Sequence, residues 1–209
     1  MKKFDIIDCL LNINAVQINP QKPFTFASGI SSPIYCDNRL LISYPTQRRL
    51  IIDRFNDIIN NEQLQFDIIA GTATAGIPHA AWLAERLDLP MIYVRSSNKA
   101  HGKQNQIEGA TKAGQRVLLI EDLISTGSSL INAAQAIRAA GLIIDDCLAI
   151  FNYQLTSAAS NLENANVNAY SCSNFTELLA YASSKGDISA AEIKQLQQWQ
   201  DNPEQWQRK

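Results

Sequence analysis

The run Val117-Leu118-Leu119-Ile120-Glu121-Asp122-Leu123-Ile124-Ser125-Thr126-Gly127-Ser128-Ser129 packs an apolar stretch, two acids and a turn into consecutive positions. Four apolar residues in succession predict a strand buried on both faces, as in a parallel sheet. The two carboxylates are expected where that strand emerges at its C-terminal edge. Small, hydroxyl-rich residues follow, and an apolar helical pattern starts at about Leu130. A turn of this composition lets successive backbone N–H groups and a helix N-terminus converge on one anion. Carboxylates repel phosphate, so Glu121 and Asp122 are better suited to sugar hydroxyls or to supporting a bound Mg²⁺. A phosphate cradle beside paired acids describes a ribose-phosphate site. The two common nucleotide loops, GxxxxGK[ST] and GxGxxG, do not occur in the sequence.

A chain of 209 residues, with 46% apolar and 18% charged residues, suits one α/β domain over residues 1–209. The net charge of -2 argues against a nucleic-acid partner, which would call for a basic face. No apolar run approaches the roughly 20 residues of a membrane span, and no cleavable leader is evident, so a cytoplasmic protein is expected. Cys9, Cys36, Cys147 and Cys172 are scattered without CxxC spacing, which disfavours zinc or a disulfide framework.

Outward from the central run, strand-like and helical patterns alternate. Phe4, Ile7, Leu10, Leu11 and Ala15 recur at helical spacing, and Pro20 and Pro23 are expected to end that helix. A short β-prone segment with turn residues, Phe24 to Arg39, reads as a hairpin. Tyr44-Pro45 opens a helix to about Asn60, with Leu50, Ile51, Phe55 and Ile58 on its apolar face. Asp67 to Gly71 reads as a buried strand, and Gly71-Thr72-Ala73-Thr74-Ala75-Gly76 as a turn into a helix near Ile77-Pro78. His79 on that helix is assigned to packing or surface. Met91 to Val94 is a strand leading to Arg95. The polar stretch 96–113 gathers Arg95, Lys99, His101 and Lys103 at its start, a composition that suits a functional loop. Ile143 to Phe151 is another strand, in which Asp145-Asp146 take an entry or edge position. Ser189 to Trp199 is a final helix capped by Ser189. The alternation predicts an α/β fold: a doubly wound, mainly parallel sheet flanked by helices, with its ligand site at the strands' C-terminal ends.

The central run resembles the phosphoribosyl-diphosphate (PRPP) motif of type I phosphoribosyltransferases. The run Ser32-Pro33-Ile34-Tyr35-Cys36-Asp37-Asn38-Arg39 is more specific. It resembles the N-terminal hood of one branch of the orotate phosphoribosyltransferases, in which the hood covers the pyrimidine. The likeness extends over nearly the whole chain. It implies the type I fold with a hood over about 1–40 and a flexible catalytic loop over about 96–113. It also implies transfer of ribose 5-phosphate from PRPP to orotate, with Mg²⁺, in a homodimer whose loops cross into the partner's site.

Carried over position by position, the resemblance assigns Arg95, Lys99 and His101 to catalysis and pyrophosphate. Thr72 and Ala73 join them at the pyrophosphate, and Glu121 and Asp122 take the ribose hydroxyls. Leu123 and Ile124 lead into the cradle Ser125, Thr126, Gly127, Ser128 and Ser129. Orotate falls to Ser125, Tyr35, Cys36 and Arg39. No residue is assigned as a direct metal ligand, Mg²⁺ being held mainly by PRPP oxygens with support from Glu121 and Asp122. Several members carry Lys where Ala27, Ala75 and Ser96 stand here, and Arg near Tyr153; the branch with this hood shares those absences. Ser31 and Ser97 depart even from that branch, which usually has Lys there. Arg39 is expected to offset the missing carboxylate partner. The PRPP motif alone does not choose the base, so a transferase for another base and a PRPP-sensing regulator are the alternatives.

Overall fold

Val117 to Ile120 needs cover on both faces, and a central position in a sheet supplies it. The structure, a computed structural model, describes residues 5–25, 31–96 and 106–206. Its strands are β1 (Val16–Ile18), β2 (Phe24–Thr25), β3 (Ser31–Ser32), β4 (Ile34–Cys36), β5 (Ile68–Thr72), β6 (Met91–Val94), β7 (Ile107–Glu108), β8 (Arg116–Ile124), β9 (Ile143–Asn152) and β10 (Asn168–Asn174). Its helices are α1 (Asp5–Asn12), α2 (Pro45–Asn61), α3 (Gly76–Leu87), α4 (Ser128–Ala139), α5 (Thr156–Ala165), α6 (Phe175–Lys185) and α7 (Ala190–Asp201), with a 3-10 turn over Asn38–Ser43.

The main sheet runs β10-β9-β8-β5-β6-β7, parallel except for β7 at the edge. Every residue of β5 is buried, and Leu118, Leu119 and Ile120 of β8 are nearly inaccessible. From β5 the chain crosses through α3 to β6 on one side; from β8 it crosses through α4 to β9 on the other. Right-handed crossovers in opposite directions put α3 and α4 on opposite faces of the sheet. The direction of winding reverses between β5 and β8, and the crevice beyond their C-terminal ends is where such folds bind ligands.

Three expectations need correcting. The first helix stops at Asn12, well before the prolines. Asn14 adopts a left-handed φ of 57°, and the Ala15 amide donates back to the Leu10 carbonyl at 2.9 Å, which closes the helix end as a Schellman-type cap. Ala15 is buried outside the helix, and the β-prone Val16–Ile18 turns to pair with β4. Secondly, β8 does not stop at Ile120; it continues through both acids to Ile124, paired with β9. The acids lie within the ladder because Leu123 and Ile124 extend the β pattern past them. Thirdly, the polar connection 96–113 is not wholly loop: buried Ile107 anchors β7 antiparallel to β6. Strand β9 is also unbroken at Asp145-Asp146, which sit at its entry; Asp145 binds Arg116 at 2.6 Å and Asp146 accepts from Asn168 at 3.0 Å. On α2, Ile51, Phe55 and Ile58 are buried as expected, joined by Ile52 and Ile59, while Leu50 is only half-buried.

The two small ribbons, β1–β4 and β2–β3, are both antiparallel and stand apart from the main sheet, in the region the resemblance assigns to the hood. The Asp37 amide donates to the Ala15 carbonyl at 2.7 Å, and Ser32 Oγ donates to the Ile34 carbonyl at 2.6 Å, holding the hood's own turns. At the other terminus the predicted cap of α7 is present. Ser189 and Glu192 form a reciprocal capping box, and Trp199 of α7 is buried against Tyr153 and Phe175.

Candidate active site

At the end of β5, Thr72 is buried with an unpartnered Oγ1, and the Ala73 amide donates to the Val94 carbonyl at 2.8 Å. The Ala73–Thr74 peptide is cis. The chain then enters α3 at Gly76, where a Cβ would stand 2.3 Å from the Ile120 carbonyl oxygen. A residue without a side chain therefore allows α3 to begin directly over β8, and it brings the Thr72-Ala73 turn beside the acids.

Glu121 and Asp122 are consecutive near the C-terminal end of β8, and their side chains are close enough to perturb one another. Glu121 is 4% exposed; its Oε1 accepts the Asp122 amide at 3.1 Å, and its Oε2 is buried with no partner. Burial, followed by the neighbouring Asp122 carboxylate, pushes its pKa up to about 8, with the Ser129 hydroxyl pulling the other way. Asp122 is half-buried, and its carbonyl accepts from Asn38 Nδ2 at 2.7 Å. A buried carboxylate with a free oxygen is suited to accept hydroxyl protons or to face a cation. Among the described residues no cluster of three or more His, Cys, Asp or Glu could hold a metal.

Gly127 turns the chain into α4 with φ near 80°, a conformation that favours glycine. No side chain caps α4, so its first-turn amides are free to meet an anion. Thr126 and Ser128 share a hydroxyl contact of 2.9 Å, and Asn161 Nδ2 steadies the turn by donating to the Thr126 carbonyl at 2.9 Å. Ser125 and Thr126 also wall a cleft of about 610 Å³ that runs to Leu155, Thr156 and the end of α7.

On the hood side, the Tyr35 ring lies 5.5 Å from that of Phe24. The Cys36 thiol is pushed well up by burial and then by Asp122 and Asp37, so strand β4 abuts the acids. Arg39 donates twice to Asp37, at 2.6 and 2.8 Å, which raises the guanidinium's pKa and lowers that of the Asp37 carboxyl. Tyr153 is not a surface group of the site: its side chain is 2% exposed, and its hydroxyl is pushed up by burial. Arg95 stands at the end of β6, its amide bonded to the Gln106 carbonyl at 2.8 Å and its guanidinium 3.6 Å from Glu108. Lys99 and His101, with Ala27 and Ser97, lie outside the described residues.

The crevice thus gathers Thr72, Ala73, Glu121, Asp122 and the turn Ser125 to Ser129, with Tyr35 and Cys36 against it. His79 is packing, as expected: it is fully buried edge-on to Trp82 at 5.3 Å, and burial lowers its pKa to about 4. Two contributors carry no sequence signal of their own. Asn161 is one more polar residue on an exposed helix, and Asn38 lies in the hood run without a role assigned to it.

Residues 43–154 match the family model described as a phosphoribosyl transferase domain. A protein of Coxiella burnetii named orotate phosphoribosyltransferase is 54% identical over 203 residues, 97% of either chain. Among solved structures, Leishmania donovani UMP synthase superposes with a TM-score of 0.79 at 28% identity, over 95% of this chain and 43% of that one. Orotate phosphoribosyltransferase from Aeropyrum pernix gives 0.72 at 25% identity, over 85% of this chain and 99% of that one.

Proposed function

The chain belongs to the phosphoribosyl transferase family and, within it, to the orotate phosphoribosyltransferases, and we propose that the crevice between β5 and β8 is where it joins orotate to PRPP. The products are orotidine 5′-monophosphate and diphosphate, the pentosyl transfer that precedes UMP in pyrimidine synthesis. The observation that carries the site assignment is the buried, half-partnered Glu121 one short turn before the uncapped start of α4. Sugar acceptors at the end of β8 and an anion cradle at the start of α4 follow one another there, which suits a ribose 5-phosphate.

In this reading the α4 amides and the hydroxyls of Ser125 to Ser129 take the 5′-phosphate. Glu121 and Asp122 accept from the ribose hydroxyls and orient the sugar. Thr72 and Ala73 present a hydroxyl and an amide to the diphosphate. Tyr35, Cys36 and Ser125 flank orotate, with Arg39 dividing its guanidinium between Asp37 and the orotate carboxylate. The bond from the anomeric carbon to diphosphate breaks as the bond to the ring nitrogen forms, and the electron pair leaves with diphosphate. Arg95, Lys99 and His101 meet the charge that builds there, where fixed cations lower the barrier most. Glu121 and Asp122 would support a Mg²⁺ carried in with PRPP, and that ion would supply positive charge to offset the charge building on the leaving diphosphate. Closure of the segment between β6 and β7 keeps water from the activated sugar. We place the whole of 1–209 in one domain, working as a homodimer in the cytoplasm with each loop serving the partner's site.

Loss of orotate absorbance with PRPP and Mg²⁺ tests this, comparing wild type with Lys99→Ala. PRPP-dependent turnover that falls at least a hundred-fold in the variant is expected, since removing one charge-stabilising group costs about that much. Turnover that survives the substitution would remove Lys99 from the mechanism. No turnover by folded wild type would redirect the search to another base.

A further inference from the structure

Among the described residues of the hood, Asn38 is the one whose side chain is both fully buried and bonded to the strand carrying the acids. It begins the 3-10 turn immediately after β4, is 1% exposed, and its Nδ2 donates to the Asp122 carbonyl at 2.7 Å across 84 residues of sequence. The carboxamide oxygen, Oδ1, is buried without a partner. A buried polar group with half its capacity unmet is retained at a cost, so the bond it does make calls for a reason.

We infer that Asn38 is a positioning residue that locks the orotate hood to the ribose-binding acid. The carbonyl it holds belongs to Asp122 itself. Fixing that carbonyl fixes the peptide plane, and with it the direction from which the Asp122 carboxylate reaches the sugar. The same side chain follows Tyr35 and Cys36 by two or three residues, so it sets where the pyrimidine face of the hood stands relative to the anomeric carbon. Two substrates that must meet in line gain most from such a shared clamp, because a small misplacement of one against the other costs a large factor in rate. Without the clamp the hood remains tied to α1 and β1 through the Asp37–Ala15 bond. It would stay folded but lose its register on β8. The inference rests on the assignment of the hood to orotate and of Asp122 to ribose.

The test compares Asn38→Ala and Asn38→Asp with Ser32→Ala, which loosens the hood internally, since the Ser32 hydroxyl bonds within it to Ile34. Asn38→Asp keeps shape and volume but offers the Asp122 carbonyl no donor when ionised. Wild-type turnover is established first, so that failure of the functional reading is seen separately. At saturating PRPP, both Asn38 variants are expected to lose about ten-fold or more in kcat/KM for orotate, as a buried hydrogen bond whose acceptor is left unmet implies. Ser32→Ala, compared at similar loss of Tm, is expected to lose much less. Folded Asn38 variants with unchanged kcat/KM would overturn the assignment. So would a loss that Ser32→Ala reproduces, or failure of both Asn38 variants to fold, since each outcome reduces Asn38 to a structural residue.

Discussion

Glu121 is buried where the ligand-free protein gives a charge little help. Burial first, and Asp122 second, raise its pKa from 4.5 to about 8, so at neutral pH the carboxyl is largely protonated until hydroxyl donors or a cation arrive to favour its charged form. A raised folded-state pKa adds stability below the unfolded value, and that stability is lost as pH rises toward the folded value. The window is therefore about pH 4.5 to 8, over which Glu121 should lower stability by on the order of a few kcal/mol. His79, held neutral by burial with a pKa near 4, works in the opposite direction below about pH 6.5, so the comparison must be made against a variant. Glu121→Gln should unfold at a higher urea concentration than wild type at pH 8, with the gap closing near pH 5. The same substitution should weaken PRPP binding about ten-fold or more, because charge-assisted hydrogen bonds to the ribose are lost. Titration calorimetry in buffers of different ionisation enthalpy should also show PRPP binding to wild type releasing protons near pH 7. Denaturation curves that run parallel at both pH values would place the titrating group elsewhere.

At the scale of elements, the two ligand turns stay close because α3 starts almost in contact with β8. The Cβ of any residue other than glycine at position 76 would meet the Ile120 carbonyl at 2.3 Å, a backbone atom with nowhere to go. Gly76→Ala must push the start of α3 outward, carrying Thr72 and Ala73 away from Glu121. Overpacking of this kind costs about 1–3 kcal/mol. A lower Tm is expected together with a loss in kcat/KM for PRPP larger than the stability change explains. Full activity at saturating PRPP with only a lowered Tm would show that the separation of the turns is not set by this contact.

For the molecule as a whole, the proposed crossing of loops makes a prediction that no single subunit can satisfy. Lys99→Ala would leave a homodimer with at most about a hundredth of the activity, and Glu121→Gln one with little activity when PRPP is held well below its weakened affinity. In a mixed dimer, one site would receive both defects and the other an intact loop over intact acids. Half of the dimers in an equal, fully exchanged mixture would be mixed, so about a quarter of wild-type activity should return. If the loop serves its own subunit's site, mixing restores nothing, and the loop's assignment moves back within one chain.

By itself the sequence settled the order of β5, β6, β8 and β9 and of the helices α2, α3, α4 and α7, because buried strands read as continuous apolar runs and turns are marked by Gly, Pro and small polar residues. Residues bonded to their neighbours, such as the Ser189–Glu192 cap, were legible too, since the capping box is a spacing in sequence. Two local boundaries differ from the sequence pattern: α1 stops short of the prolines at the left-handed Asn14, and β8 runs on with its acids inside the ladder. The tertiary structure alone decided what meets across the chain. That Gly76 clears the way to Ile120, that Asn38 reaches Asp122, and that Glu121 keeps an oxygen without a partner depend on which strands are neighbours. Sequence periodicity reports which face of an element is buried, but close approach and desolvation arise only when distant segments share one volume.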